Sequence, residues 1–418
     1  MRSSFAALTP RTVVAFMGTW VVALLAANLV PGLIGALVAD LGMTVSEAGA
    51  MATAMSLGTA LAIFGTNRLV DTGDRPTYAR IGLALMTIGF GAAALILQPL
   101  PVWIGVVVGG IGCGVVISTG TAASSATKNP DNTTSTVMIV NRAAAALMLA
   151  AVPLLNNDLR SILIVLAILG LVGQLTASGL PNVPVESIQA GPDRISGLAI
   201  TLAITFGLWS MTEEMVYGMT EILATEHVGL SVEESSFIIS FQIIGGLVGA
   251  ILAPIVLKVI GRSISILVIL VVSTTSKFLI VTTTVPAVYA MAMGSWGVMY
   301  GAVISLIFGL AARMAVTGRV GMIVSSLYIT GLAFGPLVGG ILISQVSYFA
   351  FGLAVAIPSF IMGVILLVVS RQSGVSERGG DVDADASLHV PNAAATYLDD
   401  YEWSQAASAE NSQITTKP

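Results

Sequence analysis

Twelve hydrophobic segments of about membrane-spanning length run through this chain of 418 residues. A helix needs about 20 apolar residues to cross about 30 Å of hydrocarbon, because every backbone amide must find its hydrogen bond within the segment. The segments predict an all-α membrane protein with twelve transmembrane helices. We predict spans, in chain order, at residues 12–36, 46–70, 77–98, 101–125, 133–155, 159–180, 196–222, 234–257, 263–284, 286–311, 320–344 and 348–370.

The composition excludes a water-soluble protein. Hydrophobic residues make up 56% of the chain and charged residues 9%, whereas soluble domains hold about 25% charged residues. The first apolar run is too long for the h-region of a cleavable signal peptide and has no small-residue cleavage site. The first segment is therefore expected to remain as a span.

The basic residues predict the orientation. Of the 17 lysines and arginines, 14 flank one set of loops, and only Arg160 lies clearly on the other side. By the positive-inside rule both termini are cytoplasmic, which requires an even number of spans across the cell membrane. The 14 are Arg2, Arg11, Arg68, Arg75, Arg80, Lys128, Arg194, Lys258, Arg262, Arg313, Arg319, Arg371, Arg378 and Lys417.

Two breaks in the hydrophobic pattern divide the chain. Residues 1–180 are predicted to form one six-helix bundle and residues 196–371 a second. Residues 181–195, interrupted by prolines and a glycine, are predicted to be a cytoplasmic linker. Residues 372–418 hold eight acidic side chains against two basic ones, which indicates a disordered, acidic cytoplasmic tail.

The loop after the second segment reads Asn67-Arg68-Leu69-Val70-Asp71-Thr72-Gly73-Asp74-Arg75-Pro76. It resembles the major facilitator superfamily signature G-x-L-x-D-R-x-G-R-[KR], with matches at Leu69, Asp71 and Arg75. About 187 residues later, Lys258-Val259-Ile260-Gly261-Arg262 repeats the loop with lysine in place of the aspartate. The resemblance implies the major facilitator fold, with two six-helix pseudo-repeats.

A second motif lies in the eleventh segment, from Gly331 to Gly340. It is similar to the G-x-x-x-G-P-x-x-G-G pattern that drug:proton antiporters of the superfamily carry in their fifth helix. The fourth segment lacks the membrane arginine of that branch, so the branch stays open. Gly335 and Pro336 are predicted to form a hinge or sliding surface, because proline frees a backbone carbonyl inside the membrane.

The resemblance also implies a cytoplasmic gate. In the superfamily the aspartate of the loop docks against the amino-terminal end of the eleventh helix, here near Gly318 and Arg319. Asp71 and Arg75 are therefore predicted to be gating residues. Lys258, in the equivalent place of the second half, is expected to gate less well.

A stripe of polar and aromatic residues marks the seventh segment. Trp209, Glu213, Tyr217 and Glu221 are four residues apart and share one helix face. The resemblance implies that the first, fourth, seventh and tenth helices line a central cavity. We therefore expect the stripe to face that cavity, with Asn28 of the first segment at a similar depth. Tyr217 and Trp209 would either stack on a substrate or simply pack.

Ionisable residues within a membrane are costly and commonly mark a functional site. Glu213 or its neighbour Glu214 is predicted to take up the proton of a coupled transport cycle. The alternative is a pair at the outer mouth, exposed to water or ion-paired. Glu221 and Glu226 are expected to lie at the outer mouth in this way, exposed to water or ion-paired.

Two basic residues lie within predicted spans. Arg142, near the middle of the fifth segment, is predicted to bind a substrate anion or to pair with a glutamate of the seventh. A snorkelling arginine is the alternative. Lys277 lies in the ninth segment, which the superfamily places at the periphery, so a structural or snorkelling role is expected.

Two function classes fit these features. The first is a secondary transporter that moves a small organic solute by alternating access, coupled to protons. The second is a transporter-fold sensor that binds a solute and signals through the acidic tail. An enzyme is not expected, because the sequence lacks a Ser/His/Asp set and holds only two histidines.

No cofactor, metal or nucleic-acid partner is expected either. The predicted partners are the organic solute, the proton and membrane lipid, and the chain is predicted to be monomeric. The single cysteine, Cys113, excludes an internal disulfide and is interpreted as a packing residue. Substrate identity and the direction of transport stay open.

Overall fold

The computed structural model describes residues 9–127, 130–151, 158–182, 196–314 and 319–373. These residues form helices joined by short loops, without β-strands among them. The α-helices in chain order are α1 (Pro10–Phe16), α2 (Val22–Asn28), α3 (Val30–Leu41), α4 (Val45–Thr72), α5 (Arg75–Leu95), α6 (Pro99–Ser125), α7 (Pro130–Ala151), α8 (Leu159–Thr176), α9 (Gly197–Tyr217), α10 (Thr220–Ile222), α11 (Val232–Ile260), α12 (Arg262–Thr282), α13 (Pro286–Met314), α14 (Arg319–Gln345) and α15 (Tyr348–Gln372).

Ten helices or helical runs of the described chain are long and apolar enough to cross a membrane. The two other predicted spans are α7, whose apolar stretch Thr136–Ala151 is short, and α9, which carries Glu213 and Glu214. All twelve predicted segments coincide with helices or helical runs. The predicted all-α membrane fold is confirmed.

The first helix of each half is broken at a corresponding place. In the first half, α1 continues through a π-helical turn, Met17–Val21, into α2, and the chain breaks at Leu29 before Pro31 of α3. In the second half, the break follows Tyr217, and α10 leads into another π-helical turn, Leu223–Val228. A break frees backbone groups for contacts with side chains and with the opposite half.

Glycines bring neighbouring helices into backbone contact within each half. A Cβ atom on Gly105 of α6 would lie 2.5 Å from the carbonyl oxygen of Gly89 on α5. In the second half, Cβ atoms on Gly249 and Gly301 would collide with the backbones of α13 and α11 respectively. Such small residues allow the close packing that holds helices together in lipid.

The two halves pack through α4 with α14, α7 with α11, and α3 with α10. A Cβ atom on Gly340 of α14 would lie 2.8 Å from the carbonyl oxygen of Val45, at the start of α4. The backbone amide of Leu337 donates to Thr53 Oγ1 at 3.0 Å. The halves therefore meet closely on the side that the charge distribution predicts to be external.

Two aspartates cap α8 on that same side. Asp158 Oδ2 accepts from the amide of Ser161, and Asp40 Oδ2 accepts from the amide of Leu159 at 2.6 Å. Hydrogen bonding by the Ser161 side chain is the largest cause that lowers the pKa of Asp158. The cap therefore stays negative at neutral pH, which suits the positive end of the helix dipole.

Candidate functional site

Polar side chains from both halves meet around Asn28, at the end of α2. Arg142 Nη1 donates to Asn28 Oδ1 at 3.3 Å. Asn28 Nδ2 donates to the carbonyl oxygen of Leu24 at 2.9 Å and to Asn141 Oδ1 at 3.3 Å. Tyr217, from the second half, donates its hydroxyl to the carbonyl oxygen of Asn28 at 2.8 Å. Asn28 is thus held by α7 on one side and α9 on the other.

An aromatic wall from the second half lies beside Arg142. The guanidinium carbon lies 5.8 Å from the ring centroid of Tyr300 on α13, which is a cation–π distance. The hydroxyl groups of Tyr300 and Tyr328, on α14, are 2.5 Å apart. The rings stack in turn on Trp209 and Phe206, with centroids 6.0 and 5.0 Å apart.

Glu214 completes this group. Its side chain is half-buried on α9, and Arg142 acts on it electrostatically. Gly335 of α14 packs directly on its Cβ atom, so any side chain at position 335 would collide with it. We call Asn28, Arg142, Glu214, Tyr217, Tyr300 and Tyr328 the central polar cluster.

Sequence reasoning had singled out four members of the central polar cluster and missed the other two, Tyr300 and Tyr328. The signal for Tyr300 was present, because the resemblance names the tenth helix as lining the cavity. Tyr328 lies on the eleventh helix, which is not among the helices that the resemblance places around the cavity.

Glu213 points away from the central polar cluster, into the second half. Its carboxylate accepts from Lys277 Nζ of α12 and from Trp296 Nε1 of α13. Lys277 Nζ also donates to Ser359 Oγ of α15 at 2.7 Å and lies 5.7 Å from the ring centroid of Trp209. Side-chain exposure is 1% for Glu213 and 0% for Lys277.

One expectation is therefore corrected, and one pair of alternatives is decided. Trp209 and Glu213 do not face the space between the halves, because their side of α9 packs against α12, α13 and α15. Of the two roles expected for Lys277, the structure shows the structural one, because its ammonium group is buried and paired with Glu213. A carboxylate within an apolar bundle needs donors, and Lys277 and Trp296 supply them.

The expectation for Glu221 is also wrong. Its side chain is only 4% exposed and packs against Gly32 and Gly35 of α3, in the opposite half. Glu226 is exposed, as predicted. Like Tyr217 one turn before it, Glu221 faces the first half, although the helix breaks between them.

The predicted gating residues lie in two places. Arg75 is buried and donates from Nε and Nη1 to the carbonyl oxygens of Val70 and Pro181, both at 3.2 Å. It therefore ties the loop before α5 to the end of the first half. Gly335 and Pro336 lie within an uninterrupted α14, where it crosses α9 and α4.

The remaining part of the predicted gate falls outside the described residues. This applies to the side chains of Asp71 and Arg319 and to Gly318. Most of the linker, residues 183–195, and the tail from residue 374 fall outside them as well.

The central polar cluster offers a cation, a carboxylate, an amide and phenol groups, which suit recognition of a polar organic molecule. Among the described residues, no three His, Cys, Asp or Glu side chains are grouped as metal ligands would be. Cys113 is buried.

Comparison with known proteins points in the same direction. The family model described as Major Facilitator Superfamily matches residues 15–325. The structure is similar to that of the nucleoside transporter NupG, with a TM-score of 0.67 and 14% identity over 86% of this chain and 99% of that chain. No curated protein sequence matches.

Two further solved structures are similar. One is a bacterial homologue of the human lysosomal transporter Spinster, inward-facing and occupied, with a TM-score of 0.65 and 11% identity over 86% of this chain and 95% of that one. The other is a D-xylose–proton symporter, with a TM-score of 0.61 and 16% identity over 87% and 96%. At these identities the likeness shows the fold.

Proposed function

Because the chain belongs to the major facilitator superfamily and is a multi-span membrane transporter, we propose that it moves a small organic solute by alternating access, coupled to protons. The observation that carries the proposal is the central polar cluster. It lies between the two halves, and members of both halves supply it. A solute bound there would contact both halves, so a movement of one half against the other would change its surroundings.

The cluster favours a solute with an anionic group and a flat or hydroxylated body. A guanidinium group presents parallel donors that match a carboxylate or phosphate. Arg142 would bind the anionic group, while Tyr300 and Tyr328 would contact the body of the solute through their rings and hydroxyl groups. Asn28 holds Arg142 in position through the bond to its Oδ1 atom.

Glu214 is the better of the two predicted proton carriers. Glu213 already accepts two hydrogen bonds from Lys277 and Trp296 inside the second half, whereas Glu214 lies in the central polar cluster near Arg142. A protonated Glu214 no longer attracts the guanidinium group. The solute anion and the ionised Glu214 carboxylate would compete for Arg142. Protonation of Glu214 would therefore free Arg142 for the solute, which links solute binding to proton binding.

Transport by reconstituted protein tests the proposal. In liposomes, a pH gradient should drive accumulation of a labelled organic acid, and an uncoupler should abolish it. A panel that includes a neutral sugar and a cationic drug would identify the solute class, and Arg142→Ala should lose accumulation of the anion. Uptake of every solute that is indifferent to the pH gradient would reject proton coupling.

A gating prediction concerns Asp71, near the end of α4, and the amino-terminal end of α14, against which the resemblance places it. An anion near a helix amino terminus is worth about 0.3–1 kcal/mol, and up to about 2 kcal/mol when partly buried. Loss of this contact in Asp71→Asn should slow transport while the apparent solute affinity stays near that of the wild type. Initial rates over a range of solute concentrations measure both quantities.

The matched control is Lys258→Ala in the second half, whose side chain is exposed. We expect Lys258→Ala to slow transport only slightly, since a cation is not stabilised near a helix amino terminus. An altered affinity with an unchanged maximal rate in Asp71→Asn would contradict the gating role.

A further inference from the structure

Glu221 is a buried carboxylate at the contact between the two halves. It lies on α10, and its Oε2 atom has no hydrogen-bond partner among the residues that the structure describes. Its carboxylate rests on Gly35 of α3, where any side chain would collide with it. A methyl group on Gly32 would lie 3.4 Å from Oε2. Two glycines of the first half thus form a seat for a carboxylate of the second.

The seat lies next to the central polar cluster, since Glu221 and Gly32 each follow one of its members, Tyr217 and Asn28, by four residues. Glu221 comes after the break that ends α9, on the side of the molecule that the charge distribution predicts to be external. Because α3 and α10 belong to opposite halves, the seat exists only while these helices touch. Their separation would expose Glu221 to the solution on that side.

Among the described residues, no cation forms an ion pair with Glu221. The one ion pair found within the described ranges joins Lys277 and Glu213. On α13, the Tyr289 hydroxyl donates to the carbonyl oxygen of Thr220 at 2.8 Å. The other titratable groups at this end of the elements packed against α10 are Asp40, bonded to the Leu159 amide, Glu226, exposed, His227, stacked on Tyr348, Glu233, and Glu234, bonded to the Ser231 amide. Lys258 lies in the last turn of α11, and Arg160, at the start of α8, is exposed and acts on Asp158.

An ionised carboxylate is expensive to bury without a partner, whereas a neutral carboxylic acid is much cheaper to bury. The closed contact therefore favours the protonated form of Glu221. When α3 and α10 separate, water solvates the carboxylate and favours the ionised form. Closure and proton binding must then promote one another, since each changes the free energy of the other.

We propose that Glu221 is a second proton-binding site of this transporter, and that the outer contact between α3 and α10 closes when its carboxyl group takes a proton from the external solution. The site is separate from Glu214, although the inference rests on the alternating access of the proposed function. Low external pH closes the outer side, and high external pH opens it.

Distance measurements between spin labels test this directly. Labels at Gln98→Cys and Thr284→Cys lie in exposed loops of the first and second halves, between α5 and α6 and between α12 and α13. Cys113→Ser removes the only native cysteine. Double electron–electron resonance on the purified full chain, without solute, would follow the closed-to-open ratio from pH 5 to pH 9.

In the wild type the closed-to-open ratio should fall by up to about tenfold per pH unit, as expected when one proton is linked to closure. Glu221→Gln, which mimics the protonated acid, should stay closed over the whole range. Glu226→Gln, the exposed carboxylate five residues later, should keep the wild-type profile.

Gly35→Ala provides an opposite and independent test, because the added methyl group takes the place of the Glu221 carboxylate. It should be more open than the wild type at every pH. A wild-type pH profile in either Glu221→Gln or Gly35→Ala, or a wild-type ratio that does not change with pH, would overturn the proposal. These distances report the outer contact and are measured without transport. A negative result would reject the Glu221 site, whereas proton-driven uptake through Glu214 is tested separately by transport.

Discussion

Lys277→Met is expected to destabilise the protein by about 3–5 kcal/mol, the usual cost of removing one partner of a buried ion pair. The substitution leaves Glu213 inside the second half without a cation, and Ser359 loses a donor. Glu213, Lys277, Trp296 and Ser359 join α9, α12, α13 and α15, so the loss should affect the whole second half. Thermal unfolding in detergent, followed by tryptophan fluorescence, measures the change.

The double variant Glu213→Gln/Lys277→Met is the matched control. It removes both charges, and replacement of a complete buried pair by neutral side chains is often nearly neutral for stability. We therefore expect it to regain most of the stability lost in Lys277→Met, which a double-mutant cycle would quantify. If Lys277→Met alone melts as the wild type does, the ion pair is not what holds these four helices together.

The membrane segments were predictable because helix length and hydropathy depend on local sequence alone. Each segment must satisfy its own backbone within the hydrocarbon, whatever its neighbours are. The depth of Asn28, Arg142 and the two neighbouring glutamates followed from the same count of residues. The structure places Arg142 and Asn28 in contact, but their roles in transport remain predictions.

The direction in which each side chain points was not predictable. Glu213 and Glu214 are adjacent, so about 100° of rotation separates them on the helix. Which one faces the opposite half depends on how α9 packs against α12 and α14, and the packing of small residues sets that rotation. The pairing of Glu213 with Lys277 joins positions 64 residues apart, and a single sequence does not encode such a contact visibly.

Glu221 illustrates a different limit. The four-residue spacing assigned it to the same face as Glu213, which holds only while the helix is continuous. The chain breaks after Tyr217, before Glu221 is reached. A side chain beyond such a break must be located in three dimensions, and here it lies against glycines of the other half.

Glu214→Gln is expected to abolish accumulation of solute driven by a pH gradient while exchange of solute down its own gradient continues. Glutamine has nearly the size of glutamate and resembles the protonated acid, so the variant should fold but bind no proton at this position. Arg142 would lose its competing carboxylate and stay available to the solute. Uptake into liposomes with and without an imposed pH gradient, compared with counterflow at equal pH, separates the two activities.

Glu226→Gln is the control for this prediction, because Glu226 is exposed and lies outside the central polar cluster. It should accumulate solute as the wild type does. Glu213→Gln distinguishes the two neighbours: it leaves Lys277 buried without its partner, so it should lower the stability while the protein that remains folded still responds to the pH gradient. If Glu214→Gln still accumulates solute while Glu213→Gln, although folded, only exchanges it, the proton is carried by Glu213, and the Lys277 ion pair must open during each cycle.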